Sequence, residues 1–181
     1  EIFKRKIGLN EPTYFIAEIG SNFDGDLNRA KKLIKIAAEN GADAAKFQHY
    51  TADTLVSDFG FNSLNNSVQT HQSEWKDSVS TTYDKASLNK EWTEELSDFS
   101  HSLGIGFFTS PYSIDLVDYV EPYVDAYKVG SGDITYLEII KAMSEKKKPL
   151  ILATGAASQS EVDKAMSVLE GNLENVCIMQ C

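Results

Sequence analysis

Six short apolar runs, each separated from the next by a stretch that includes a helix-length segment, constrain this chain more than any other feature. "TYFIAEIG" (13–20), "ADAAKFQHY" (42–50), "IGFFTSP" (105–111), "VDAYKVG" (124–130), "PLILATG" (149–155) and "ENVCIMQC" (174–181) read as strands. Between them, "LNRAKKLIKIAAENG", "NKEWTEELSDFSHSLG", "SIDLVDYVEPY", "YLEIIKAMSEKKK" and "SQSEVDKAMSVLEG" carry helical patterns. Asp26 is placed to cap the first helix and Gly41 to stop it, and Ser158 with Glu161 matches a capping box. Strand–helix units in series imply right-handed crossovers and a parallel sheet, so the fold class is α/β.

The count of strands sets the next expectation. Six strands are two short of a (β/α)8 barrel, which takes about 250 residues. The 181 residues therefore read either as an open sheet or, the preferred reading, as one partial TIM-barrel domain, a fragment of a longer protein. Residues 50–88 break the rhythm: rich in Ser, Thr, Asn and Gln and weakly periodic, they read as a long insertion after the second strand.

Composition removes several classes of function. A net charge of −10 argues against nucleic acid, whose phosphates need basic stripes. It leaves room for a small anion, since a few lysines reverse the field inside a cleft. No apolar run approaches the roughly 18 residues that span a bilayer, and the first residues lack a signal-peptide core, so no membrane partner is expected. Cys177 and Cys181, about 13 Å apart along a strand, cannot bridge each other. Unpaired thiols without metal-ligand spacing point to a reducing, cytoplasmic setting. His49, His71 and His101 read as surface or packing residues, as do Trp75, Tyr83 and Trp92, and "KKK" at 146–148 as a solvated helix end.

Side chains on a strand alternate faces, which allows a test of convergence. Glu18 falls in phase with Ile16, Lys46 and Gln48 with Ala44, Thr109 with Phe107, Lys128 with Ala126, Thr154 with Leu152 and Gln180 with Ile178. Each strand thus ends on a polar residue, and the six ends are expected to meet in one pocket at the C-terminal edge of the sheet. Lys46 and Lys128 would be two cations at that mouth, compensated either by carboxylates or by a bound anion. Glu18 and Asp133 are candidate acid–base or ligand-holding groups. The backbone of Gly130, Ser131 and Gly132 can offer N–H groups to an anion. Such a pocket suits a small phosphorylated or carboxylated molecule together with a hydroxylated one.

"FIAEIGSNFDGDLNRAKKLIKIAAENGADAAKFQ", "FFTSPYS", "YKVGSGDIT" and "KPLILATGAAS" together resemble the sialic acid (N-acetylneuraminate) synthase family, in the family's order. The resemblance implies a (β/α)8 barrel that condenses phosphoenolpyruvate with an N-acetylated hexosamine such as N-acetylmannosamine, releasing phosphate. It implies that Lys46 and Lys128 grip phosphoenolpyruvate with help from Thr109 and Ser131, that Glu18 positions the sugar or a water, and that Gln48 holds the sugar. Asp133 stands where many members have Glu and would orient the reacting water or a proton. A divalent metal, Mn²⁺ or Mg²⁺, is implied as well, with its histidine ligands on later strands outside these residues. So are a homodimer and a C-terminal antifreeze-like domain, which these residues do not include; alone they are expected to be inactive. Phe23, where many members carry His, marks an expected difference in the acceptor sugar. The competing readings are a phosphoenolpyruvate-dependent 3-deoxy-ulosonate phosphate synthase, a class I aldolase with Lys46 or Lys128 as Schiff-base lysine, and a non-enzymatic sugar-binding or assembly module. The first needs more basic residues than Arg5 and Arg29 supply.

Overall fold

The computed structural model describes residues 1–64 and 71–181, so positions 65–70 of the long insertion lie outside the described residues. Strands β1 (Ile16–Gly20), β2 (Ala44–His49), β3 (Gly106–Pro111), β4 (Ala126–Val129), β5 (Leu150–Ala153) and β6 (Val176–Met179) form one parallel sheet. Their spatial order is their order along the chain. A doubly wound sheet reverses direction at a switch point, whereas strictly sequential order is the winding of a barrel. No pairing joins β1 to β6 among the described residues, so the sheet is an open, partial barrel of the TIM type.

Local chemistry sets the helices. In α1 (Leu27–Glu39) the buried residues Ala30, Ile34 and Ala37 recur at helical spacing, and the Asp26 carboxylate accepts from the amides of Asn28 and Arg29. Gly41 then turns the chain with φ of +84°, a conformation that favours glycine. The insertion is more ordered than its weak periodicity suggested. It holds α2 (Ala52–Leu55), α3 (Asp58–Ser63) and α4 (Val79–Ala86). Ser57 accepts from the Gly60 amide, Ser78 from the Thr81 amide, and Asp58 ties α3 to α4 by accepting from the amide and hydroxyl of Ser80. Its polar residues are spent on caps rather than on an apolar stripe, which is why periodicity alone does not find these helices. Among the described residues four α-helices follow: α5 (Thr93–Ser102), α6 (Ile114–Val120), α7 (Leu137–Glu145) and α8 (Gln159–Ser167), the last opened by the expected Ser158–Glu161 capping box.

Register decides which side chains face the barrel interior. Glu18 pairs with Lys46, Lys46 with Phe108, and Phe108 with Ala126. Gln48 pairs with Ser110 and Lys128 with Ile151. Glu18, Lys46, Gln48, Ser110 and Lys128 therefore share one face, because partners in register point the same way.

Two expectations are corrected here. Thr109 belongs to the opposite face: its hydroxyl bonds His49 Nδ1 at 2.8 Å beneath the helices, and Ser110 takes the interior position. By the same register, Leu152 and Ile178 lie on the outer face, and only the residues beyond the ends of β5 and β6 turn polar. The cause is that Phe107 and Phe108 are both fully buried. A strand covered on both sides has no amphipathic alternation to anchor its phase. Phe23 is likewise no part of the mouth: it lies in the core against Phe47 and Trp92 on the helix side.

The N-terminal edge of the sheet is closed by structural contacts. Arg5 pairs with Asp43, whose other oxygen accepts from the Phe15 amide. Asp125 accepts from the Phe107 amide and bonds His101, and the ring of Phe3 stacks on that imidazole.

Candidate active site

The strand C-termini gather the predicted residues, Thr109 excepted. Lys46 on β2 is 2% exposed, and its ammonium donates to Glu18 Oε2 on β1 at 2.7 Å. Burial pulls the Lys46 pKa below its ordinary value; the Glu18 carboxylate acts against that and Lys128 adds to it. Lys128, half-buried on β4, has no carboxylate within ion-pair distance among the described residues. Glu18 keeps 53% of its side chain exposed. A bulge after it carries Gly20 at φ of +54° and leads to Asn22, whose amide donates to the Ile19 carbonyl. Gln48 is partly buried on the same face.

Beyond β4 the chain makes a single 3-10 turn, Ser131–Asp133. Ser131 Oγ accepts from the Gly155 amide at 3.2 Å, which leaves its own proton free to donate. Thr154 and Gln180 approach each other at 3.4 Å just past β5 and β6. Asp133 sits over Gly130: a Cβ built on Gly130 would lie 2.6 Å from Asp133 Oδ2. Burial raises the Asp133 pKa, with Lys128 pulling it partly back. Lys128, Gly130, Asp133, Ser110 and Tyr112 line a recess of about 40 Å³. A larger cavity, about 440 Å³, lies instead between the N-terminal residues and the starts of β5 and β6. Its lining carries Glu1, Glu174 and Asn175 but no lysine or arginine, so the smaller recess, with Lys128 and Asp133, is the one furnished for an anion.

Sequence reasoning missed Ser110, Tyr50 and Tyr112. Tyr50 is buried, bonds Ser21 through its hydroxyl at 3.0 Å, and stands edge-on to both Tyr83 and Tyr112. The available signal was the two-residue step from Gln48 to Tyr50 and from Ser110 to Tyr112, which keeps each ring on the face of its strand's polar residue. Of the histidines, His49 and His101 serve packing, and the side chain of His71 lies outside the described residues.

The divalent cation implied by the resemblance finds no holder here. Among the described residues, no three His, Cys, Asp or Glu side chains cluster where they could hold a metal ion.

A sequentially wound partial barrel with two lysines and a carboxylate at its strand C-termini defines an α/β chain of the barrel-synthase type. The chain belongs to the NeuB family, whose model matches residues 33–181. It is 34% identical over 93% of its length to N,N'-diacetyllegionaminic acid synthase of Campylobacter jejuni, covering 51% of that protein. It is 30% identical over 98% of its length to human N-acetylneuraminate-9-phosphate synthase, covering 48% of it. The crystal structure of an N-acetylneuraminic acid synthetase from Leptospira borgpetersenii superposes with a TM-score of 0.82 at 27% identity, over all of this chain and 58% of that one. The chain thus spans about half the length of the curated relatives it matches.

Proposed function

We propose that residues 1–181, as one partial barrel domain with its insertion, form the phosphoenolpyruvate-holding wall of a synthase. The enzyme condenses phosphoenolpyruvate with an N-acetylated hexosamine, N-acetylmannosamine or an analogue, to a nine-carbon 2-keto-3-deoxy sugar acid and phosphate. It acts in the cytoplasm as a homodimer. The observation that carries this reading is the pair Lys46 and Lys128: two cations share one interior face, and Glu18 stands at ion-pair distance from Lys46 alone, with no carboxylate that close to Lys128 among the described residues. Uncompensated buried cations are costly, so a dianionic ligand stabilises the arrangement.

The roles follow from position. Lys46 and Lys128 hold the carboxylate and phosphate, and the Ser131 hydroxyl donates beside them, with Ser110 in the place expected of Thr109. Gln48 and Glu18 face the acceptor. Carbon 3 of the enol bonds the aldehyde carbon as the aldehyde π bond breaks onto its oxygen, which takes a proton from solvent, leaving carbon 2 electron-poor. A water then bonds carbon 2 while one of its protons passes to Asp133; the tetrahedral carbon forms its C=O bond, loses the remaining hydroxyl proton and breaks the C–O bond to phosphate. A carboxylate whose pKa is raised is the stronger base for that transfer.

Protein expressed from the complete gene is expected to release phosphate only when phosphoenolpyruvate and the amino sugar are both present. Release that ignores the amino sugar overturns the reading. One observation favours a second reading: the lowered pKa of Lys46 is what a Schiff-base nucleophile needs. Borohydride treatment with pyruvate should leave Lys46 and Lys128 unmodified; a stable adduct on either makes the protein a class I aldolase.

Gly130→Ala tests Asp133 without touching it. Gly130 has φ of −67°, so alanine is conformationally allowed, but its Cβ would meet Asp133 Oδ2 at 2.6 Å. Shifting a reacting group by about 1 Å costs on the order of 100-fold. We expect turnover to fall by about that factor with phosphoenolpyruvate affinity retained, measured by phosphate release and calorimetry.

A further inference from the structure

Tyr112 follows β3 directly, its amide bonded to the His49 carbonyl, and its ring stands edge-on to Tyr50 at 6.0 Å and 88°. Tyr50 is itself held by Ser21, so the orientation of Tyr112 is fixed from the β1 side. The Tyr112 hydroxyl lies 3.8 Å from the point where a Cβ on Gly130 would sit, and Asp133 Oδ2 lies 2.6 Å from the same point. Phenol and carboxyl therefore converge over Gly130 at the Lys128 end of the recess. The hydroxyl is partly buried, and no described residue bonds it. Burial and then the carboxylates of Asp133 and Glu18 hold the phenol above its ordinary pKa, so at neutral pH it is an O–H donor.

We propose that Tyr112 and Asp133 together bind the water that adds to carbon 2 of phosphoenolpyruvate, with Tyr112 donating to the water oxygen and Asp133 accepting its proton. This rests on the synthase reading above. A water oxygen has two lone pairs: one accepts from Tyr112, and the other forms the bond to carbon 2. One water O–H bond breaks, its proton passes to the Asp133 carboxylate, and Tyr112 keeps its own. A donor and an acceptor set on one water orient it, which neither group does alone. Tyr112 is thus a residue of the addition step and not of ground-state anion binding, which belongs to Lys46, Lys128 and Ser131.

The test is Tyr112→Phe in protein from the complete gene, which keeps the ring and its packing on Tyr50 and removes only the hydroxyl. We expect kcat to fall by about 10- to 100-fold, the range for losing one hydrogen bond to a group that develops charge. Phosphoenolpyruvate affinity by calorimetry should stay within about 3-fold of the parent, since the lysines are untouched. Retained binding also reports that the variant's site is assembled. Unchanged kcat overturns the proposal, and so does a parallel loss of affinity and turnover, which makes Tyr112 a packing group. If the parent itself shows no amino-sugar-dependent phosphate release, the synthase reading fails and this proposal falls with it. An active parent with an equally active variant removes only the role of Tyr112.

Discussion

Lys46→Met in protein from the complete gene is expected to weaken phosphoenolpyruvate binding by about 100-fold or more while changing folding stability by no more than about 1 kcal/mol. The two effects separate because of where the charges sit. Lys46 is buried and its charged form is disfavoured there, so an apolar side chain of similar length gives up little of the fold. Its partner Glu18 is half exposed and is solvated when the ammonium is gone, which avoids the cost of stranding a buried carboxylate. Binding has no such substitute. Removing one partner of a desolvated, hydrogen-bonded charge pair costs about 2–5 kcal/mol, and the ligand brings the countercharge. Calorimetric titration with phosphoenolpyruvate and urea unfolding of parent and variant give both numbers. Unchanged affinity would remove Lys46 from the site, and a loss of stability matching the loss of affinity would make the lysine structural.

The second large effect lies in the fold. His49 is buried between two threonines, Nδ1 2.8 Å from Thr109 and Nε2 2.8 Å from Thr93. Thr93 gives its hydroxyl proton to the Lys90 carbonyl, so it accepts from Nε2–H, and Thr109 donates to Nδ1. That assignment makes the imidazole neutral, and burial lowers its pKa from 6.5 to about 4. The folded pKa is below the unfolded one, so between these values the unfolded chain binds more protons. Stability from this group is therefore complete above about pH 6.5 and declines as pH falls toward 4, by about 3 kcal/mol in all. His49→Gln removes the titration. Urea unfolding at pH 7 and pH 4 should show the parent losing about 3 kcal/mol more than the variant over that interval. Equal losses would mean that the imidazole does not titrate as its burial requires.

The six strands and the helices between them were legible because each strand is a short apolar run bounded by turn residues, and the first and last long helices carry their own caps. Lys46 and Glu18 could be placed together by parity, since each is a charged residue set among small and apolar ones in its strand. Thr109 could not. The run "GFFTS" is apolar on both faces, and only pairing with β2 shows that Phe108 and Ser110 turn inward. The insertion's helices were hidden for a related reason, since capping hydroxyls leave no periodic trace. Tyr50 and Tyr112 were passed over because an aromatic just after a strand reads as packing until its neighbours across the sheet are known.

The sequence by itself determined the series of strand–helix units, the candidate residues at the strand ends and the charge that the mouth presents. All three follow from local chemistry: apolar runs, caps, and lysines placed where a buried strand would otherwise exclude them. Tertiary structure alone decided which threonine or serine faces the interior, that Phe23 belongs to the core, and that the Tyr112 hydroxyl and the Asp133 carboxylate both lie over Gly130. Those depend on register, and register is a property of paired strands that no single strand carries.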